Sequence, residues 1–114
     1  MITIKTLENS SIDQILEVFN LSFSNYIVPL CLSKEQLTEK IKIHGIQLDI
    51  SVGVFENDKL IAFILHGYNL VGNLKVVYNA GTGVIPAKRG NKLTSKMYEF
   101  IMPIFLQNNI DKIQ

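Results

Sequence analysis

The spacing of apolar residues along the chain predicts strands and helices in alternation. Residues 2–7 alternate apolar and polar side chains, as a short, half-buried strand does. After Ser10 or Ser11, either of which can cap a helix, apolar residues recur at the three- and four-residue spacing of one helical face. These residues are Ile12, Ile15, Leu16, Phe19 and Phe23. Pro29 is predicted to close this helical region.

A second helix is predicted to begin after Ser33. Ser33 and Gln36 have the spacing of a capping box, in which each side chain bonds the backbone N–H of the other residue. Leu32 and Leu37 occupy the positions of a hydrophobic staple. Gly45 suits the C-terminal cap.

Three β-type runs follow the helices. Residues 51–56 and 60–65 are predicted to pair as a hairpin, because residues 57–59 (Asn-Asp-Lys) tolerate the left-handed conformations of a tight turn. Residues 72–73 (Gly-Asn) supply the next turn, and residues 74–85 form a long, β-branched third run. We expect all three strands to be antiparallel.

Glycines interrupt the second half of that third run. Gly81 and Gly83 flank Thr82, and we expect a bulge or a close approach to another backbone there. The last helix carries an apolar stripe made of Leu93, Met97, Phe100, Ile101, Ile104 and Phe105. Pro103 should kink this helix or end its regular hydrogen bonding. Residues 110–114 resemble the first half of a further strand.

Composition narrows the class of protein. A chain of 114 residues, with 47% hydrophobic and 18% charged residues, is predicted to form one domain over residues 1–114, with some apolar surface left for an interface. A net charge of +1 provides no long-range field for nucleic acid or anionic membrane. The single cysteine, Cys31, excludes an internal disulfide and is expected to be a buried hydrophobe in a cytoplasmic protein. No metal-ligand spacing, signal peptide or bilayer-spanning run is found.

The segment with candidate chemistry is the turn between the third β-run and the last helix. A helix start presents unpaired backbone N–H groups and partial positive charge, which together suit an anion. Lys88, Arg89 and Lys92 would add mobile positive charge. The alternative is a basic loop that caps the helix with its charges in water.

At residues 84–90 the chain reads Val-Ile-Pro-Ala-Lys-Arg-Gly. This stretch resembles the Val-x-Pro-x-x-Arg-Gly that ends the fourth strand of the GNAT superfamily of acyl-CoA-dependent N-acetyltransferases. The resemblance implies an α+β fold with a mixed, mainly antiparallel sheet flanked by helices, in the order β-α-α-β-β-β-α-β, incomplete at the C-terminus. Its specific residues are confined to 81–98.

The resemblance also implies a loop whose backbone amides hold the pyrophosphate of coenzyme A, with acetyl-CoA as co-substrate. From Arg89 the family pattern Arg/Gln-x-x-Gly-x-Gly/Ala is matched with two departures, since Lys92 replaces the first glycine and Thr94 the final Gly or Ala. The pantetheine arm would bond the fourth strand. The predicted acetyl-CoA-binding residues are Gly83, Val84, Ile85, Lys88, Arg89, Gly90, Asn91, Lys92, Leu93 and Thr94.

The sequence gives weaker indications of the residues on the acceptor side of the predicted site. Tyr78 and Asn79 precede the expected bulge and are candidate catalytic residues, and His66, near the end of its strand, could join them. The alternative is a half-buried strand tyrosine, a hydrogen-bonded asparagine and a strand-end histidine. Met97 and Tyr98 have core spacing, which indicates packing. In the family the general acid is usually a tyrosine in a helix after the fifth strand, beyond Gln114.

Two functions are therefore considered. The first is the N-terminal portion of an N-acetyltransferase that transfers an acetyl group from acetyl-CoA to an amine. The second is a non-catalytic GNAT-like fragment that acts by CoA binding or self-association. A sheet edge at residues 110–114 without its usual cover predicts a homodimer.

Overall fold

The computed structural model describes residues 2–23 and 31–113. Its elements are β1 (Ile2–Thr6), α1 (Ile12–Ser22), α2 (Lys34–Ile43), β2 (Val52–Glu56), β3 (Lys59–Val71), β4 (Leu74–Val84), α3 (Leu93–Gln107) and β5 (Lys112–Ile113). The strands form one sheet in the order β1-β2-β3-β4-β5, antiparallel from β1 to β4, with β5 parallel to β4. The predicted α+β class and element order are confirmed.

The first two helices begin where local capping predicts. The Ser11 side chain accepts a hydrogen bond from the Gln14 backbone N–H at 3.1 Å. Ser33 and Gln36 complete a capping box, with bonds of 3.1 and 2.8 Å between each side chain and the other residue's backbone N–H. The predicted closure at Pro29 lies outside the described residues.

Helices cover both faces of the sheet. On one face Phe19 of α1 stacks on Phe63 of β3, with ring centroids 5.8 Å apart. On the other, Phe105 of α3 meets the ring of His66 edge to face at 5.1 Å. Residues 63 and 66 lie on opposite faces because strand side chains alternate. Fully buried side chains from both faces complete the core, among them Leu7, Ile15, Leu37, Ile64, Met97 and Ile101.

The β3 strand is longer than the apolar run that predicted it. It extends to Val71, and the hairpin with β4 closes at Gly72, whose φ of +64° suits the turn. The predicted end at residue 65 is wrong, because pairing with β4 supports the strand through a region without alternating polarity. His66 therefore lies inside a strand and is buried, rather than at a strand end.

The expected irregularity of β4 is present. Leu65 pairs with Gly81 and His66 with Asn79, so Ala80 is the extra residue of a bulge. Further on, a Cβ at Gly83 would lie 2.5 Å from the Phe63 ring, which shows that this position needs a residue without a side chain.

Of the two outcomes predicted at Pro103, an end of the helix is wrong, because the last helix continues through this proline to Gln107. Cys31 is exposed and not buried. The Asn20 amide bonds both the N–H and the carbonyl of Leu32, at 2.8 and 2.9 Å, and Leu32 packs against the core. This places Leu32 inward, and its neighbour Cys31 points to solvent.

Candidate acyl-CoA cleft

A cleft of about 530 Å³ lies where the end of β4, the loop that follows it and the first turn of α3 meet. Its lining includes every predicted acetyl-CoA-binding residue except Ile85, together with Ser22, Thr82 and Ser95. Ile85 is buried beside it, where its N–H bonds the Ile61 carbonyl at 3.0 Å and its carbonyl accepts from the Lys88 N–H at 2.9 Å. Both backbone groups of Ile85 are thus engaged within the protein.

The loop before α3 contains two residues with left-handed backbone. Gly90 has φ +86°, and a Cβ built there would meet nothing within 4 Å. Lys92 is the N-cap of α3 and has φ +56°, with no side-chain hydrogen bond to cap the helix. This lysine stands where the family pattern has glycine, and it adopts the conformation that glycine favours. Lys92 therefore takes up a left-handed backbone conformation despite having a side chain.

The loop before α3 and the first turn of α3 carry a continuous run of backbone N–H groups at residues 90–95. In the described part of the chain, no protein acceptor bonds the amides of residues 90–95, and the first bonded amide is that of Lys96, to the Lys92 carbonyl at 3.2 Å. Unpaired amides at a helix start carry partial positive charge. The arrangement can bind an anion such as a phosphate.

The three basic side chains of the loop differ in availability. Lys88 forms an ion pair with Glu56 at 2.9 Å. The Nε of Arg89 donates to the Val84 carbonyl at 3.1 Å, and its guanidinium also donates to the Ser22 carbonyl. The prediction that all three cations are mobile is therefore wrong for Lys88 and Arg89. Of the three, only the Lys92 ammonium has no partner within residues 2–23 and 31–113.

The structure separates the two predicted catalytic residues. Tyr78 pairs with Gly67, and its hydroxyl donates to the carbonyl of His44 at the end of α2. Asn79 is the next residue of β4, so its side chain lies on the opposite face, where α3 packs. Tyr78 and Asn79 therefore cannot act together on one group.

His66 is buried and hydrogen-bonded within the core. Its Nδ1 lies 3.0 Å from the Ile50 carbonyl, which can only accept, so Nδ1 carries the proton. The backbone N–H donates to the Ser51 hydroxyl at 2.9 Å. Burial lowers the pKa of this histidine below 6.5, although the hydrogen bond to Ile50 opposes the shift. The ring is therefore neutral at physiological pH.

A polar cluster that sequence reasoning missed surrounds Asn79. The Asn79 Nδ2 donates to the Thr82 hydroxyl at 2.7 Å and to the Tyr98 hydroxyl at 3.1 Å. The predicted packing of Tyr98 is confirmed, because its ring packs against the core and lies 6.1 Å from the ring of His66. The contact of its hydroxyl with Asn79 was not predicted, although Tyr98 follows the buried Met97 by one residue, an offset that could have indicated a side chain at the edge of the core.

Comparison with known proteins supports the fold. No protein-family model matches the sequence, and a comparison with curated proteins gives no significant match. Solved structures do match. A possible acetyltransferase from Clostridium difficile 630 is 18% identical with a TM-score of 0.73, over 99% of this chain and 77% of that chain. A GNAT family acetyltransferase from Brucella melitensis, in complex with acetyl-CoA, is 14% identical with a TM-score of 0.71, over 96% and 71%.

A third similar structure is the aminoglycoside acetyltransferase meta-AAC0020 from an uncultured soil metagenomic sample, in complex with sisomicin. It is 9% identical with a TM-score of 0.74, over 99% of this chain and 75% of that chain. These likenesses show that the chain has the fold of the GNAT acetyltransferases. Among the described residues, no helix has the length and apolar character needed to span a membrane, and no group of side chains has the composition of a metal site.

Proposed function

We propose that this protein is a GNAT-type N-acetyltransferase that uses acetyl-CoA to acetylate an amine. The observation that carries the proposal is the run of backbone amides at residues 90–95, which border the cleft and have no acceptor among the described residues. The fold adds support, because a structure of the same fold, from Brucella melitensis, is a complex with acetyl-CoA.

The residues of the cleft fit two parts of an acyl-CoA, the diphosphate and the pantetheine arm. The amides of residues 90–95 suit the diphosphate, and the Lys92 ammonium is free to add a charged contact. Val84 is the β4 residue whose backbone N–H is proposed to bond the pantetheine arm, because Gly83 is paired with Phe63 of β3 and the Val84 carbonyl already accepts from Arg89. Among the described residues, β5 pairs with β4 only at Val76 and Val77, which leaves the later half of β4 open on that side. Ile85 is omitted, because its backbone groups are already bonded.

Acetyl-CoA would supply an activated acetyl group. In the transfer, the amine nitrogen forms a bond to the acetyl carbonyl carbon, the carbon–sulfur bond breaks, the amine loses a proton and the thiolate gains one. The contribution of this chain is to bind the diphosphate, orient the thioester and limit its motion, which lowers the entropic part of the barrier. The acceptor is proposed to be an amine, as aminoglycosides are for meta-AAC0020.

Replacing Thr94 by proline tests the amide cradle. Thr94 is exposed on the first turn of α3, where proline is tolerated, so Thr94→Pro deletes one N–H of the run. Thr94→Ala is the matched control, since it loses the hydroxyl and keeps the N–H. By calorimetry we expect Thr94→Pro to bind acetyl-CoA about tenfold more weakly than Thr94→Ala. Acetyl-pantetheine, without the diphosphate, should bind both equally.

Two experimental results would count against an acetyltransferase. Absence of acetyl-CoA binding to the folded wild-type protein at millimolar concentration would reject the proposal. Binding without release of free thiol, on a panel of primary amines that includes aminoglycosides, would favour the non-catalytic alternative instead.

We also propose that the protein self-associates and is located in the cytoplasm. The tip of the β3–β4 hairpin carries exposed apolar side chains, with Leu70 71%, Val71 60% and Leu74 49% exposed, which supports a homodimer. The exposed thiol of Cys31 suits a reducing compartment. Light scattering over a concentration series of wild type and Leu70→Lys tests association, and a wild type that is monomeric throughout the series would refute it.

A further inference from the structure

Asn79 uses its side-chain amide fully within the bulge of β4. Its Oδ1 accepts from the backbone N–H of Gly81 at 2.8 Å, and a backbone N–H can only donate, so the orientation of the amide is fixed. The two protons of Nδ2 are then directed at the hydroxyl oxygens of Thr82 and Tyr98. Asn79 therefore has no proton left to give to a substrate.

This bonding determines what the two hydroxyls can do. Each hydroxyl oxygen accepts from Asn79, so its own proton points elsewhere. No acceptor for either proton is found in the part of the chain that the structure describes. Thr82 and Tyr98 are held by one nitrogen atom and so form a pair of neighbouring O–H donors.

Of the two donors, Thr82 lines the cleft, and Tyr98 is linked to it through Asn79. Thr82 lies two residues before Val84, the proposed contact of the pantetheine arm. A ligand whose diphosphate occupies residues 90–95 and whose arm runs back along β4 brings its acyl end toward Thr82. The thioester carbonyl oxygen can accept two hydrogen bonds.

We propose that Asn79 is a positioning residue that turns the hydroxyl protons of Thr82 and Tyr98 toward the thioester carbonyl oxygen of acetyl-CoA. The inference rests on the proposed function. Two preorganised donors at this oxygen stabilise the negative charge that develops when the amine attacks. Asn79 itself touches no reacting atom, in contrast to the catalytic role first expected of it.

The variant Asn79→Asp tests whether Asn79 orients the two hydroxyl protons, while it keeps the bulge of β4 intact. A carboxylate at this position still accepts from the Gly81 N–H, so the bulge is preserved. It cannot donate, and the hydroxyls of Thr82 and Tyr98 would turn their protons inward to it. Tyr98→Phe and Thr82→Val remove the donors without adding charge, and Thr82→Ser should restore the Thr82 donor. Asn9→Asp, at an exposed position between β1 and α1, is the control for charge alone.

The primary measurement is the infrared carbonyl band of acetyl-CoA labelled with ¹³C at the thioester, bound to the full chain. Hydrogen bonds to the oxygen should move the band of the wild-type complex to lower wavenumber than in free acetyl-CoA. The band should move back in Asn79→Asp, Tyr98→Phe and Thr82→Val, and remain in Thr82→Ser and Asn9→Asp. This readout does not require the acceptor amine.

Kinetics give a second readout. With any amine that is acetylated, kcat should fall by about 100-fold in Asn79→Asp while the Kd for acetyl-CoA stays within about twofold. Adding Tyr98→Phe to Asn79→Asp should cost little more, because the donor is already diverted. If Asn79→Asp does not fold, the two uncharged variants carry the measurement.

Failure of this inference and failure of the proposed function give different experimental results. If the wild type does not bind acetyl-CoA, the proposed function fails and this inference with it. If the wild type binds and the carbonyl band is the same in all variants, the proposed function stands and the role of Asn79 is overturned.

Discussion

The guanidinium of Arg89 donates a hydrogen bond to the carbonyl oxygen of Ser22, so the loop before α3 is joined to the last residue of α1. The same side chain bonds the Val84 carbonyl through Nε. A carbonyl at a helix C-terminus has no helical partner and lies at the negative end of the helix dipole, which favours a cation there. Arg89 therefore holds the wall of the cleft in place.

We expect Arg89→Lys and Arg89→Ala each to lower the free energy of unfolding by about 1–2 kcal/mol, since lysine retains the charge but lacks the planar fork that reaches two carbonyls. Urea denaturation measures the loss. Lys96→Ala, an exposed change on α3, should be neutral. An Arg89→Lys protein as stable as wild type would show that the two bonds do not hold the loop.

The parts of the fold that depend on neighbouring residues could be predicted from the sequence. Ser33 caps its helix because Gln36 is three residues away, and the turn at Asn57 and Asp58 forms because both residues tolerate positive φ, here +51° and +69°. These contacts need no tertiary information. The loop at residues 84–94 could be located for the same reason.

Contacts between distant segments could not be predicted. The bond from Arg89 to Ser22 joins residues 67 positions apart, and the bond from Tyr78 to His44 joins residues 34 apart. No local pattern records such pairings. The opposite directions of Tyr78 and Asn79 follow from strand alternation and could have been stated. The hydrogen-bond partners of Tyr78 and Asn79 could not be predicted, because they depend on where α2 and α3 pack against the sheet.

Lys92 combines a strained backbone with an available charge, and two substitutions separate these properties. Lys92→Gly should raise the free energy of unfolding by about 0.5–1 kcal/mol, because glycine adopts φ +56° without a steric penalty but loses more entropy on folding. Lys92→Ala keeps the strain and should bring no such gain. Thermal unfolding compares the two.

Both Lys92 substitutions should weaken acetyl-CoA binding about tenfold, because both remove the ammonium proposed to contact the phosphates. The weakening should shrink at high salt. Tighter binding of acetyl-CoA by Lys92→Gly would contradict this and show that the lysine side chain obstructs the cleft.

His66 makes stability depend on pH. Its pKa in the folded protein is lowered from 6.5, chiefly by burial, so below pH 6.5 the unfolded chain takes up a proton that the folded chain does not. Stability from this residue is complete above that pH and is lost as the pH falls toward the folded pKa. We expect the free energy of unfolding, measured by urea denaturation, to decrease from pH 7 to pH 5 by up to about 1.4 kcal/mol for each pH unit.

The other histidine provides the control. His44 is exposed at the end of α2, and His44→Gln should retain the pH dependence of the wild type. His66→Gln should reduce it, whatever its own stability. Equal slopes in the two variants between pH 7 and pH 5 would assign the effect to other groups.

Gly83 is predicted to tolerate no side chain, although alanine is usually favoured over glycine in a strand. A Cβ at this position would lie 2.5 Å from Cε1 of Phe63 and 2.9 Å from Cβ of Ser22. The Phe63 ring cannot easily withdraw, because it is fully buried and stacked on Phe19. We expect Gly83→Ala to destabilise the protein by about 1–3 kcal/mol, as overpacking does.

Phe63→Leu should itself destabilise, yet the double variant should be more stable than the sum of the two losses predicts, because the smaller side chain makes room for the methyl group. Strict additivity in urea denaturation would mean that the ring of Phe63 is not what excludes a side chain at residue 83.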